Sequence, residues 1–201
     1  MLRLYNFQRS GNCYKIRLLL NQLELPYDKI DVDIVKGESR TSEFIQKNIN
    51  GKVPLLEIEP NKLLAESNAI LFYLSENTQF LPNDPWERIN VLRWMFFEQN
   101  SLEPSIGTVR YWITELDNPD KYQEVIQQKR EQGYASLEVI ENHLTEHQFF
   151  VGERYTIADI CLFGYTHVAE EGGFDLSKFT AVNAWMERFK AQPKYISMEE
   201  S

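Results

Sequence analysis

The chain has 201 residues, 43% hydrophobic and 25% charged, with a net charge of -9 at pH 7 and two cysteines. This is the composition of a folded soluble protein, long enough for one large core or two modest ones, and it excludes a disordered chain. The negative charge argues against a nucleic-acid backbone or an anionic membrane as the main partner, since both would repel it.

Cys13 and Cys161 make neither a disulfide framework nor a metal site and read as reduced thiols. His143, His147 and His167 lack ligand spacing, so no metal is expected. Met1 leads directly into strand-like residues and no apolar run approaches membrane-spanning length, so a cytoplasmic protein is expected.

Residues 2–5 alternate as a first strand, and a polar loop follows, ending in Ser10-Gly11-Asn12. Ile16, Leu19, Leu20 and Leu23 repeat at i, i+3, i+4 and i+7, which predicts a helix stopped by Pro26. Residues 27–34 alternate again, with Ile30, Val32 and Ile34 on one side, and predict a second strand. Residues 37–47 are polar, with Phe44 and Ile45 as anchors of a short second helix.

Residues 53–59 alternate as a half-buried strand, Pro60-Asn61-Lys62 is turn chemistry, and Leu63-Leu64 pair back as the second arm of a hairpin. Pro54 donates no amide, so the chain entering that strand lies at an edge or bend and leaves the N–H and C=O of Val53 for another peptide. A cis Val53-Pro54 bond would present them well. Ser67 precedes Ile70, Leu71 and Leu74 at helical spacing and reads as an N-cap. The order to about Asn77 is βαβαββα, with a right-handed parallel crossover and an antiparallel hairpin, which is the thioredoxin-like arrangement.

Two prolines in 80–85 read as a linker, and everything after it is helical. Residues 86–99 carry one helix, which Pro104 should end or kink before Ile106, Val109, Arg110 and Ile113 resume the pattern. Residues 120–144 repeat the apolar period. Thr156 and Asp159 form a capping box for a helix apolar nearly all round, expected in the middle of a second domain, and Val182, Trp185, Met186 and Phe189 mark a last helix. The expected domains are 1–78, a linker at 79–87, and an all-helical 88–201.

The most informative stretch is 49–74. A helix start with a free hydroxyl favours a carboxylate, while the adjacent Glu66 favours an ammonium, so Glu66-Ser67 reads as a receptor for an amino-acid head group. A Val53-Pro54 turn, a hairpin and then Glu66-Ser67 at a helix start resemble the glutathione-binding half of the cytosolic glutathione S-transferases. The helical remainder, with Thr156 and Asp159 at the start of its central helix, extends the resemblance over the whole chain. One departure is Gly51 after Asn50, where family members commonly have Asn-Pro before the Val-Pro turn.

The resemblance implies a bacterial serine-type (theta/nu-like) member: a glutathione transferase, cytoplasmic, homodimeric and concerned with detoxification. Glutathione is then the cosubstrate and a hydrophobic electrophile the second ligand. The resemblance makes Ser10 the residue that activates the sulfur, with Asn12 near it, and Val53 the backbone partner of the cysteinyl part. Glu66 and Ser67 hold the γ-glutamyl end, and Lys52, Arg40 and Ser39 lie toward the glycyl end. Phe97, Tyr111, Trp112 and Arg110, with Glu103 nearby, are the candidates for the electrophile pocket.

Physical chemistry gives Ser10 a sufficient role. A thiol of pKa about 8.5 must fall by about two units to be mostly thiolate at pH 7, which is roughly 2.7 kcal/mol. One hydrogen bond to a charged group is worth about 1.5–3 kcal/mol. Ser10 could instead only cap its helix, and Tyr5 is the rival donor, although its place in the first strand suits the core. Asn12 and Cys13 leave open a glutathione-dependent disulfide or peroxide reductase, and a non-catalytic scaffold of the same fold is the third reading.

Overall fold

The computed structural model describes residues 1–116 and 119–200 and divides the chain into two units. The first comprises Met1–Glu76 together with the chain from Pro193 onward, and the second Asn77–Gln192. The first has a four-stranded sheet in the order β2-β1-β3-β4, formed by Leu2–Asn6 (β1), Tyr27–Asp31 (β2), Leu55–Glu59 (β3) and Lys62–Ala65 (β4). β1 runs parallel to β2, as a crossover through Gly11–Gln22 (α1) requires, while β3 and β4 are antiparallel additions. With Ser42–Lys47 (α2) and Ser67–Leu74 (α3), this is the thioredoxin-like βαβαββα order. Tyr5, Val32, Phe44 and Leu55 pack together on one side of the sheet.

Three local departures from the sequence pattern have visible causes. β2 ends at Asp31, short of the expected 34, because Asp33 Oδ1 accepts the amides of Val35 and Lys36, each at 3.1 Å, and turns the chain. The second helix divides into a 3-10 turn, Glu38–Arg40, and α2, because Thr41 is extended and its hydroxyl caps Phe44 N–H at 3.3 Å. Ser67 is the first residue of α3 and not its N-cap: Glu66 occupies the cap position at φ 71° and ψ 112°.

In the second unit the expected linker at 79–87 is packed. Phe80 and Leu81 are buried, Ile157 N–H donates to Phe80 O at 3.0 Å, and Asp84 caps Pro85–Phe97 (α4) through Glu87 N–H. Pro104 neither ends nor sharply breaks the helical path. The winding loosens into a π-type stretch, Glu98–Gly107, and tightens again as Thr108–Thr114 (α5). Ser105 Oγ donates to Ser101 O at 2.7 Å and Lys129 Nζ to Pro104 O at 2.6 Å, engaging carbonyls inside the loosened turns. Gly107 is required where this stretch ends, because a Cβ there would lie 2.7 Å from the Tyr165 ring.

The remaining elements are Gln123–Glu146 (α6), Ile157–Thr166 (α7) and Thr180–Lys190 (α8). Every residue of α7 is buried, as its all-round apolar pattern predicts. The Thr156–Asp159 capping box is present, and Phe163 of α7 stacks on Phe189 of α8 with ring centroids 3.7 Å apart. Among the described residues no helix is long and apolar enough to cross a membrane.

Candidate functional site

The sheet register brings three separate stretches of the chain to one end of the first unit. Tyr5 of β1 pairs with Leu55 at the start of β3, and Leu55 pairs with Ala65 at the end of β4. The loop to α1, the Val53-Pro54 turn and Glu66-Ser67 therefore all leave the sheet at that end. A direct bond then joins two of them: Ser67 Oγ at the start of α3 donates to Asn12 Oδ1 in the first turn of α1, at 3.1 Å.

Ser10 caps α1, its Oγ accepting Cys13 N–H at 3.2 Å. Accepting uses only a lone pair, so the hydroxyl proton stays available and capping is compatible with donation to a thiolate. The rival donor Tyr5 is excluded by its surroundings: it lies in the core against Phe44, and its hydroxyl faces Glu57 Oε2 at 3.4 Å. Cys13 is fully buried, its Sγ accepts Phe7 N–H at 3.4 Å, and burial pushes its thiol above the ordinary value. It is a passive core thiol. Cys161 is equally buried, in the second unit, with Glu98 Oε2 3.2 Å from its sulfur.

The Val53-Pro54 bond is cis, and β3 begins only after it. Asn48, buried and not singled out by any motif, sets the peptide before Val53: its Nδ2 donates to Lys52 O at 2.8 Å while its Oδ1 accepts Asn50 N–H at 3.1 Å. In a trans peptide the N–H points opposite the C=O, so drawing Lys52 O toward Asn48 turns Val53 N–H the other way. The unusual Gly51 is explained here. It adopts φ +60°, and a Cβ would meet Ser39 O at 2.9 Å and Arg40 Nη1 at 2.7 Å. Arg40 Nη1 donates to Asn50 O at 3.0 Å, so Arg40 and the buried Ser39 brace this loop, while the Lys52 side chain is exposed.

Glu66 is exposed with a backbone that non-glycine residues rarely adopt, a form of strain that collects at ligand sites. Ser67 is buried at the N-terminus of α3, where the helix dipole favours an anion. Lys15 was also illegible in the sequence. It lies fully buried in α1, and its Nζ reaches Asn12 Oδ1 at 2.8 Å.

The loop that carries Ser10 is held from behind. Arg17, fully buried, donates to Asn6 Oδ1, to Gln8 O at 2.9 Å and to Met198 O at 3.3 Å, and Gln8 Nε2 also donates to Met198 O, at 2.6 Å. Tyr14 OH and Asn21 Nδ2 donate to Ile196 O and Lys194 O, each at 2.8 Å, so the C-terminal strap is clamped along α1.

The four second-unit candidates differ in availability. Phe97, Tyr111 and Trp112 are each partly exposed, Trp112 stacking on Tyr122 at 4.8 Å. Arg110 is instead buried, with Nε and Nη2 both 3.0 Å from Glu171 Oε2. Its guanidinium is engaged inside the unit and drops from the pocket candidates. Among the described residues no three His, Cys, Asp or Glu side chains are grouped to hold a metal.

Known proteins match the chain in sequence and in fold. Residues 1–76 match the family described as Glutathione S-transferase, N-terminal domain, and residues 96–193 match Glutathione S-transferase, C-terminal domain. The crystal structure of a possible glutathione S-transferase from Rhodopseudomonas palustris is 48% identical, covers 100% of this chain and 98% of that one, and superposes with a TM-score of 0.97. A glutathione transferase from Burkholderia graminis, solved with two glutathione molecules bound per subunit, is 25% identical over 96% of this chain and 85% of that chain, with a TM-score of 0.83. Disulfide-bond oxidoreductase YfcG of Escherichia coli K12 is 31% identical over 201 aligned residues, 96% of this chain and 92% of the relative. With both family domains matched and this identity sustained over nearly its full length, the chain belongs to the glutathione S-transferase family.

Proposed function

We propose that the protein is a serine-type glutathione transferase that binds reduced glutathione at the shared end of α1, β3 and α3. Ser67, with the first amides of α3, receives the γ-glutamyl carboxylate and Glu66 the ammonium. The Val53 backbone pairs with the cysteinyl residue, and Lys52 and Arg40 serve the glycyl carboxylate. Ser10 and Asn12 donate to the sulfur and hold it as thiolate. The observation that carries this reading is the Ser67–Asn12 hydrogen bond, which ties the head-group end of the site to the sulfur end.

The thiolate lone pair then forms a bond to an electrophilic carbon, whose leaving group departs with its electrons. Phe97, Tyr111 and Trp112 are the residues we assign to the hydrophobic electrophile, in a cytoplasmic, detoxifying role. We further assign a homodimer, supported by an apolar stripe on α4: Trp86, Ile89 and Phe96 share one side of the helix, and Trp86 and Phe96 are 74% and 65% exposed.

A second reading is favoured by the similarity to the E. coli disulfide-bond oxidoreductase. In it the glutathione sulfur attacks one sulfur of a disulfide and expels the other as thiolate. A second glutathione then resolves the mixed disulfide, giving oxidised glutathione and the second thiol. Buried Cys13 takes no part.

Retention on immobilised glutathione, with elution by free glutathione at millimolar concentration, tests the binding site; failure to bind would favour a scaffold. Turnover of aryl halides, peroxides and hydroxyethyl disulfide separates the chemistries. The transferase reading predicts conjugation of the aryl halide, and turnover of the disulfide alone would replace it with the second reading. In either case Cys13→Ser is expected to retain wild-type rates.

A further inference from the structure

A carboxamide can serve a thiolate only by its N–H edge, and the free asparagine side chain has no preference for which edge it offers. The orientation of Asn12 is set by its neighbours. Its Oδ1 lies 2.8 Å from Lys15 Nζ and 3.1 Å from Ser67 Oγ. An ammonium has three donors and no acceptor, so the Asn12 atom facing it must be the carbonyl oxygen. The serine hydroxyl could face either edge and decides nothing alone. With Oδ1 taken by two donors, Nδ2 occupies the other edge of the group, and among the described residues it has no hydrogen-bond partner. Lys15 itself is fully buried, and its Nζ donates to Asn12 Oδ1.

We propose that Lys15 is a positioning residue: it locks the Asn12 carboxamide with its Nδ2 hydrogens turned to the glutathione sulfur. The proposal rests on the glutathione reading above and assigns Lys15 no contact with the ligand. In its absence Ser67 could hold either edge of Asn12, and the carboxamide would spend part of its time with an oxygen toward the thiolate, which repels it.

The test is the pKa of the bound glutathione thiol, read from thiolate absorbance near 240 nm against pH, in wild type, Lys15→Met, Asn12→Ala and the double variant. Lys15→Met keeps the apolar stem and removes the donor. It is expected to raise the bound thiol pKa by about one unit, a roughly tenfold lower thiolate-to-thiol ratio. In the Asn12→Ala background the same change is expected to add nothing, because its effect runs through the missing carboxamide. A plain field effect of the lysine charge would persist in that background, and such persistence overturns the proposal. So does an unchanged pKa in Lys15→Met when Asn12→Ala alone shifts it.

Should Lys15→Met not fold, Lys15→Gln carries the same test, since a glutamine can present either edge and releases the constraint. Failure of the parent reading looks different: the wild type itself would then bind no glutathione or leave its thiol pKa unshifted.

Discussion

Asp159→Ala is expected to destabilise the second unit by about 3–5 kcal/mol at pH 5, the cost of orphaning several buried donors at once. The Asp159 carboxyl group is fully buried, and its oxygens face Phe150 N–H at 3.3 Å, Trp185 Nε1 at 3.0 Å, Thr156 N–H at 2.9 Å and the Thr156 hydroxyl at 3.2 Å. One side chain thus starts α7, fixes α8 through its tryptophan and anchors the strand-like turn at 150.

The effect carries a pH signature. Burial pushes the Asp159 carboxyl up to about 7, against the pull of those donors. Its value in the unfolded chain is about 3.9, so between about pH 4 and pH 7 the folded state holds a proton that the unfolded state has released. Folding then takes up a proton, and the group's contribution falls as pH rises through that window. The gap between wild type and Asp159→Ala is expected to be larger at pH 5 than at pH 8. All four tryptophans, 86, 94, 112 and 185, lie in the second unit, so urea titrations followed by tryptophan emission report on it directly. A gap that is small at both pH values, or that widens with pH, would contradict this account.

Arg17→Met has the second large expected effect and falls on the first unit. Removing the guanidinium leaves Asn6 Oδ1 without that donor and withdraws a shared donor from Gln8 O and Met198 O. Asn6 in turn donates to Asp31 Oδ1 at 2.8 Å, so the loss extends from the end of β1 to the end of β2. A cost of about 3 kcal/mol is expected for losing several buried hydrogen bonds to a charged group. The loop that loosens is the one leading to Ser10. Glutathione retention should therefore fail at a lower urea concentration than in wild type, while the tryptophan transition of the second unit stays where it was. Unchanged retention through the same urea range would refute the bracing role.

The sequence was most legible where one periodicity dominated. The apolar face of α1, the alternation in β3 and the all-round apolar α7 each announced their element, and Thr156 with Asp159 announced a cap. The candidate site was legible as far as its stretches were motifs, and the register brings Val53-Pro54, Glu66-Ser67 and the loop before α1 to one end of the sheet. Its supports were not. Lys15 and Arg17 are charged residues buried on α1, and only their polar partners make that tolerable. The role of Asn48 depends on where Lys52 O arrives, which no motif discloses. The π-type stretch around Pro104 was not legible, because sequence reports the missing amide but not the loosened winding that accommodates it. Nor does any local pattern disclose that the chain from Pro193 onward returns to the first unit.

The pH titration of bound glutathione in wild type and Ser10→Ala bears most directly on the whole reading. Wild type should hold the thiol about two units below its free value near 8.5, and Ser10→Ala should return it upward by about one to two units. A wild-type thiol that titrates as it does in free solution, or a Ser10→Ala thiol indistinguishable from wild type, would contradict the assignment of this corner of the fold as a thiolate site with Ser10 as its donor.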